Sequence, residues 1–422
     1  MTQTRAELPS VPVFSGAGTG KKVPHHQFLS DNTSSPGRVL WWCRSWGGVG
    51  KNRCTAMTHM HAGRVTRKCV PETGEGSKTP PVDSHTRQIV RTLCVFSREP
   101  AEAAHRELRR LEGLLVDHGF LVQTVRICSP APTAEAVEEA VPDRRVMLSL
   151  GTVPPERVET VLPGFLASER VSFNVDLTAE SVSDTHVELL RRIIAESPGG
   201  TFRFAYVFNH VSSSPYFPSA RYEQDGFSLG FQATDLSADC ASVEEWLAAV
   251  RRMWCAADRI LGREAGYLGI DSSIAPLFDG PGSLVRFLER LGLSLPRSVT
   301  SDVYLRMTSF ITEENPRPTG LCGLMLPCLE DFALASEYDR GEFPIERNLF
   351  VSLHSGLGID TYPLGIDEDP KRIVEILRLV QGLARKHRKP LSVRFVSDGR
   401  ACVGERTDFG NQYLQDVVIR PL

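Results

Sequence analysis

No run in the 422-residue chain approaches the ~18 to 20 consecutive apolar residues that span a bilayer, so a helical membrane protein is excluded. Its ten cysteines show no pair spacing, which argues against both a disulfide framework and a zinc ribbon. A reducing, cytoplasmic compartment is the expectation. Charge of one sign is also missing: the formal net is −3. That sum hides an asymmetry, because residues 1–84 carry eleven Lys/Arg against five Asp/Glu and leave the remainder at −9. An acidic body offers no electrostatic reason to bind nucleic acid. What remains is an ordinary globular composition, 41% hydrophobic and 23% charged, long enough to bury a large core.

Residues 1–84 are rich in Gly, Pro, Ser, Thr, Lys and Arg and show no sustained periodicity. Such a stretch cannot bury enough apolar area to offset its ordering entropy, so a disordered extension is expected. Its basic, hydroxyl-rich character also fits an organellar (mitochondrial or plastid) targeting segment, and a start at Met57 or Met60 is a third reading. Gly16-Ala-Gly-Thr-Gly-Lys21 and Gly47-Gly-Val-Gly-Lys51 imitate a phosphate loop but lack its first glycine and the Ser/Thr after the lysine. Cys43, Cys54, His59, His61 and Cys69 have ligand types without zinc spacing.

From Gln88 the pattern is that of a single packed α/β domain, taken as 85–422. Strands are predicted at 89–96, 121–127, 146–150, 171–177, 201–208, 227–235, 267–270, 359–362 and 391–396. Phe202, Phe204, Tyr206 and Phe208 share one face, as do Phe227, Leu229, Phe231 and Ala233. Ser242 with Glu245 makes a capping box ahead of an amphipathic helix, and Asp369-Pro370 opens another. Strands alternating with helices imply crossover connections and a largely parallel sheet or barrel.

Candidate functional groups cluster where apolar runs stop. Asp271 and Ser272 follow a strand and precede Ser273 and Pro276, either as a ligand site or as an Asx-turn. Ser283 reads as the N-cap of the next helix. Glu330 and Asp331 end an apolar run whose Pro327 should interrupt a helix; they are a base or metal ligand, or acids at a solvated helix edge. Cys322 and Cys328 read as small buried hydrophobes. His354 and Asp360 flank glycines that turn a helix end into a strand, a geometry able to join imidazole and carboxylate for acid/base work. Thr361 follows Asp360. Arg394 is an anion clamp or a structural ion-pair partner. Glu405 and Thr407 either complete a cavity or form a surface turn. Asn174 and Asp176 share a polar strand face, and Pro215-Tyr-Phe-Pro218 is a rigid aromatic loop.

Together these motifs are similar to a known family. Gly269-Ile-Asp-Ser-Ser-Ile-Ala-Pro276, Gly323-Leu-Met-Leu-Pro-Cys-Leu-Glu-Asp331, Ser355-Gly-Leu-Gly-Ile-Asp-Thr-Tyr-Pro363, Lys389-Pro-Leu-Ser-Val-Arg394 and Gly404-Glu-Arg-Thr-Asp-Phe409, in this order, resemble the domain of unknown function 711, also catalogued as uncharacterised protein family 0210. The resemblance spans roughly 171–418 and implies a fold like that of the glycyl-radical (PFL-like) enzymes: an α/β barrel of about ten strands, built from two half-barrels with surrounding helices. It does not imply radical chemistry, because Ser397-Asp-Gly-Arg400 lacks the glycyl-radical loop pattern. Two readings of function follow. In one, a metabolic enzyme binds a small polar or anionic metabolite, with Asp360, His354, Asp271 and Glu330 catalytic and Arg394, Ser272, Thr361 and Glu405 binding substrate. A hard cation such as Mg²⁺ would suit these oxygen ligands. In the other, a non-catalytic binding or assembly protein, as monomer or homo-oligomer, uses the same groups as a structural network.

Overall fold

The structure, a computed structural model, describes residues 88–422 except Ala101. The expectations placed on 1–84 lie outside the described residues. Ten strands form one sheet: β1 (Ile89–Phe96), β2 (Leu121–Val122), β3 (Val125–Cys128), β4 (Val146–Thr152), β5 (Val171–Asp176), β6 (Phe204–Phe208), β7 (Gly226–Phe231), β8 (Tyr267–Asp271), β9 (Gly358–Pro363) and β10 (Leu391–Val396). Their order is β8-β7-β1-β3-β4-β5-β6-β10-β9, with β2 beside β1.

Two parallel groups make up this order. β1, β3, β4, β5 and β6 run one way. β7 with β8, and β9 with β10, are parallel pairs that meet the first group antiparallel at β1/β7 and β6/β10. Residues 318–331 form a strap between β8 and β9. Ile270 pairs with Pro318 and Ile274 with Leu324 on one side; Leu324 pairs with Gly356 and Pro327 with Asp360 on the other. The helix expected around Pro327 is therefore not formed. Pro327 has no N–H to give to a helix, and in the extended strap none is asked of it: Cys328 N donates to Asp360 O at 2.9 Å.

Local sequence explains most elements. Strands β1 and β10 have the expected bounds. The expected strand 121–127 is split into β2 and β3 around Gln123 and Thr124, β7 ends at Phe231, and 198–203 is a 3₁₀ turn that takes Phe202 off the strand. In the helix Val243–Leu261, Ser242 Oγ accepts from Glu245 N at 3.2 Å while the Glu245 carboxylate takes Ala241 N at 2.8 Å. Its buried face carries Trp246, Val250, Met253, Trp254, Ala257 and Leu261. Asp369 caps the helix Pro370–His387, its carboxylate accepting from Lys371 N at 2.9 Å.

Side chains alternate across the sheet with period two. On β1, Leu93 and Val95 belong to the main core with the helices, whereas Cys94 and Phe96 join a second cluster with Cys128, Ala220 and Phe217. That second face also receives the loop between β6 and β7. A buried loop must find partners for its backbone. Here Thr92 Oγ1 donates to Pro215 O at 3.1 Å, Asn174 Nδ2 donates to Pro218 O at 2.7 Å and Ala220 O at 2.8 Å, and Ser228 Oγ donates to Ser213 O at 2.8 Å. Among the described residues no helix is long and apolar enough to cross a membrane.

Candidate functional site

An internal cavity of about 120 Å³ lies beside this loop. A single water needs only ~10–15 Å³ by a comparable measure, so a small molecule fits. Its walls come from the amino-terminal ends of the first parallel group (Arg91, Arg126, Met147, Arg170, Phe202, Arg203), the loop at Tyr216–Ser219, the strap at Leu326, Pro327 and Glu330, and Asp360 and Arg394 on β9 and β10. Because the two groups run in opposite directions, the same end of the sheet offers the strap's carboxyl end and Pro276, just beyond β8. Five arginines face two carboxylates.

Strand irregularities aim the key groups inward. The β1/β7 register shifts between Val90 and Thr92, at Arg91. The β9/β10 register shifts at Asp360 and Thr361, where two residues face one on β10. Thr361 adopts φ 40°, a rare backbone for a β-branched residue, and such outliers concentrate at functional sites. Gly358 opens β9 at φ 108°, where an added Cβ would fall 2.1 Å from Ser392 O. The expected return from helix Ile345–His354 into a strand is thus made.

Arg394 ties the two cavity acids together. Its Nε donates to Asp360 Oδ1 at 2.7 Å and its Nη2 to Glu330 Oε1 at 2.5 Å. Glu330 Oε2 accepts from Arg91 Nη2 at 3.2 Å, and Arg91 Nη1 continues to Gln232 Oε1 at 3.2 Å. Burial alone would lower the Arg394 pKa, but Asp360 and Glu330 more than offset it and hold the group above its usual value. Asp360 keeps an oxygen available: among the described residues its hydrogen bonds fall on Oδ1 and none reaches Oδ2. The remaining arginines lie on aromatic or backbone surfaces. Arg126 sits 5.0 Å from the Phe217 ring centroid, and Arg203 sits 4.7 Å from that of Phe165. Arg170 pairs with Glu138 at 3.2 Å.

The other expected site residues are placed elsewhere. Asp271 is fully buried and outside the cavity wall. Its Oδ2 accepts from Ser214 Oγ and Leu321 N, and its Oδ1 from Ser273 N, Ser273 Oγ and Cys322 N, at 2.6–3.1 Å. A carboxylate offers about four lone-pair sites, so five donors leave none for a substrate. Gly320, at φ +71°, closes against it: a Cβ there would meet Asp271 Oδ2 at 2.3 Å. Ser272 Oγ donates to Ile311 O at 3.2 Å, away from the cavity.

Asp331 is buried rather than at a solvated edge. It caps Phe332–Asp339 through Ala333 N and Leu334 N, and also accepts from Ser283 Oγ at 2.6 Å and Leu284 N at 3.0 Å. Burial pushes its carboxyl up to about 6. Ser283 is the N-cap expected of it, accepting from Arg286 N at 3.1 Å. Cys328 is buried and Cys322 largely so.

His354 does not meet Asp360. Its Nδ1 lies 2.8 Å from Ser355 Oγ, it does not line the cavity, and among the described residues no hydrogen bond or ion pair joins it to an acid. Burial, then the Lys389 charge, holds it below the usual histidine range. Thr361 Oγ1 accepts from Leu329 N at 3.4 Å. Glu405 is exposed and accepts from Cys402 N at 2.8 Å, the surface-turn alternative, and Thr407 Oγ1 bonds Asp416 and Val417. Asn174 anchors the inserted loop, and Asp176 Oδ1 takes the hydroxyl of Thr178. Among the described residues no group of three or more His, Cys, Asp and Glu could hold a metal ion, and the guanidiniums on Glu330 and Asp360 disfavour a cation there.

Sequence reasoning missed Arg91, Arg126, Arg170 and Arg203. Their available signal was a lone arginine in or beside an otherwise apolar strand, as in Ile-Val-Arg-Thr-Leu-Cys. A family model described as "Uncharacterised ACR (DUF711)" matches residues 165–411, a span that holds Glu330, Asp360 and Arg394. No curated protein matches the chain.

Proposed function

This chain belongs to the family of uncharacterised ACR proteins (DUF711), and from that premise we propose that its cavity binds a small anionic metabolite and that Asp360 exchanges a proton with it. The observation that carries this reading is the imbalance of five arginines over two carboxylates lining one cavity. Guanidinium forks bind carboxylate or phosphate by paired hydrogen bonds, and burial strengthens the attraction. The aromatic rings of Phe202, Tyr216, Phe217 and Tyr413 supply apolar contact around the charged centre. Asp360, half-buried with Oδ2 uncommitted and its backbone irregular, is the group placed to take a proton, while Arg394 fixes its orientation. The strap's single bridges to both β8 and β9 support reading the sheet as a barrel of two half-barrels, with the cavity inside.

The second reading is a non-catalytic binding protein. It is favoured by the Arg91–Glu330–Arg394–Asp360 chain, which resembles a structural network in that every carboxylate is paired. Asp360→Asn distinguishes the two. The enzyme reading expects turnover of the cognate anion to fall by about 10²–10⁴ with affinity little changed. Unchanged turnover in that variant, with lowered thermal stability, would establish the network instead.

A further inference from the structure

Two of the cavity's arginines have no acid in direct contact among the described residues. Arg126 donates from Nε to Thr124 Oγ1 at 3.1 Å and from Nη1 to Pro215 O at 3.3 Å, and nothing accepts from Nη2 among the described residues. Arg203 donates from Nη1 to the Val171 carbonyl and, among the described residues, from neither of its other nitrogens. Among the described residues neither forms an ion pair, although Arg91, Arg170 and Arg394 all do. Both are more than nine-tenths buried, at 7% and 9% exposure. Burial lowers each guanidinium to about 10. A fold that keeps two buried cations unpaired leaves a double positive charge for something to neutralise.

The two positions are separated. Arg126 is on β3 and Arg203 immediately precedes β6, with β4 and β5 between them. Three strand steps at ~4.8 Å put the backbones roughly 14 Å apart along the sheet. Between them the wall presents Met147 and Pro218 and, just before β5, Arg170, whose charge is already paired with Glu138.

We propose that the ligand is a short dianion with a carboxylate at each end, one seated at Arg126 and the other at Arg203, its methylene chain lying over Met147. This rests on the reading of the cavity as an anion site and adds the ligand's charge and shape. A compact phosphate carries similar charge but engages one of the two positions, so it is the competing source of the same negative charge.

Calorimetric titration of the full chain tests this with succinate, glutarate and adipate, with butyrate and pentanoate, and with inorganic phosphate. The expected result is that one dicarboxylate binds at least tenfold tighter than the monocarboxylates and phosphate, with affinity depending on chain length. Arg126→Gln and Arg203→Gln should each reduce that dicarboxylate to the monocarboxylate level. Melting curves verify folding, and Arg126→Lys and Arg203→Lys, which keep the charge, replace any glutamine variant that fails to fold and should show an intermediate loss. Phosphate or a monocarboxylate binding as tightly as every dicarboxylate overturns the two-ended ligand while leaving an anion site. No binding of any of these anions to the unsubstituted chain overturns the dianion, and if Arg394→Gln also leaves binding of every other anion tested unaltered, the anion-site reading falls separately.

Discussion

Asp271, against the strap, and Glu330, on it, are both buried carboxylates, yet they are held by partners of opposite kinds. Asp271 is surrounded by neutral donors, two serine hydroxyls and three backbone amides, that close every lone pair. Glu330 is held by two guanidiniums that also face a cavity. Neutral donors fix a turn, whereas charged donors create a field into which a ligand can be drawn. The difference separates an acid closed off within the fold from one on a cavity wall, and substitutions at each should have different signatures.

Asp271→Ala should have the largest effect, about 4 kcal/mol of lost stability by chemical denaturation, because it leaves several buried donors unpaired. Anion affinity of the folded fraction should be unchanged; a large fall in affinity without lost stability would erase the contrast. Glu330→Gln should cost about 3 kcal/mol by breaking buried ion pairs. Here anion affinity should rise, on the order of tenfold in titration, since Arg91 and Arg394 are released. A variant that loses affinity in step with stability would make Glu330 a purely structural acid.

A third expected effect concerns the loop that Asp271 pins through Ser214. His210, on that loop, has an unpartnered buried Nε2, and burial, opposed by Asp176 and aided by Arg221, lowers it to about 4. Its depressed pKa means that the unfolded state takes up a proton first. Stability is therefore full above about 6.5 and is lost as pH falls from there towards 4, by on the order of 2 kcal/mol. Melting temperature against pH should show this slope, and His210→Gln should flatten it; an unchanged slope would place the acid sensitivity elsewhere. The smallest effect belongs to Glu405→Ala, within about 0.5 kcal/mol and without consequence for binding, as suits an exposed turn. A clear loss of affinity there would restore it to the site.

Local signals made part of this legible before any coordinates. The strands 89–96 and 391–396, the caps at Ser242, Ser283 and Asp369, and the turn through Gly356 and Gly358 each depend on neighbours a few residues away. Asp360, Glu330 and Arg394 stood out because acids and arginine ending apolar runs are rare, and the fold joins the three side chains. The strap was misread as a helix because its partners lie 30 to 55 residues away, beyond any local periodicity. The pairing of His354 with Asp360 failed because His354 ends its helix and bonds Ser355, whereas Asp360 lies within β9 against Arg394. Arg126 and Arg203 acquire meaning only when β3 and the start of β6 reach one cavity.

The antiparallel junctions have a consequence for synthesis. β1 to β6 form a contiguous stretch of chain, but the outer edge of β1 is covered only when β7 arrives, and that of β6 waits for β10, some 185 residues later. An unpaired β6 edge, flanked by Phe204, Tyr206 and Phe208, is therefore presented to other chains while those residues are being made. Translation speed and chaperone supply, more than the stability of the finished sheet, should govern how much of this protein a cell recovers intact.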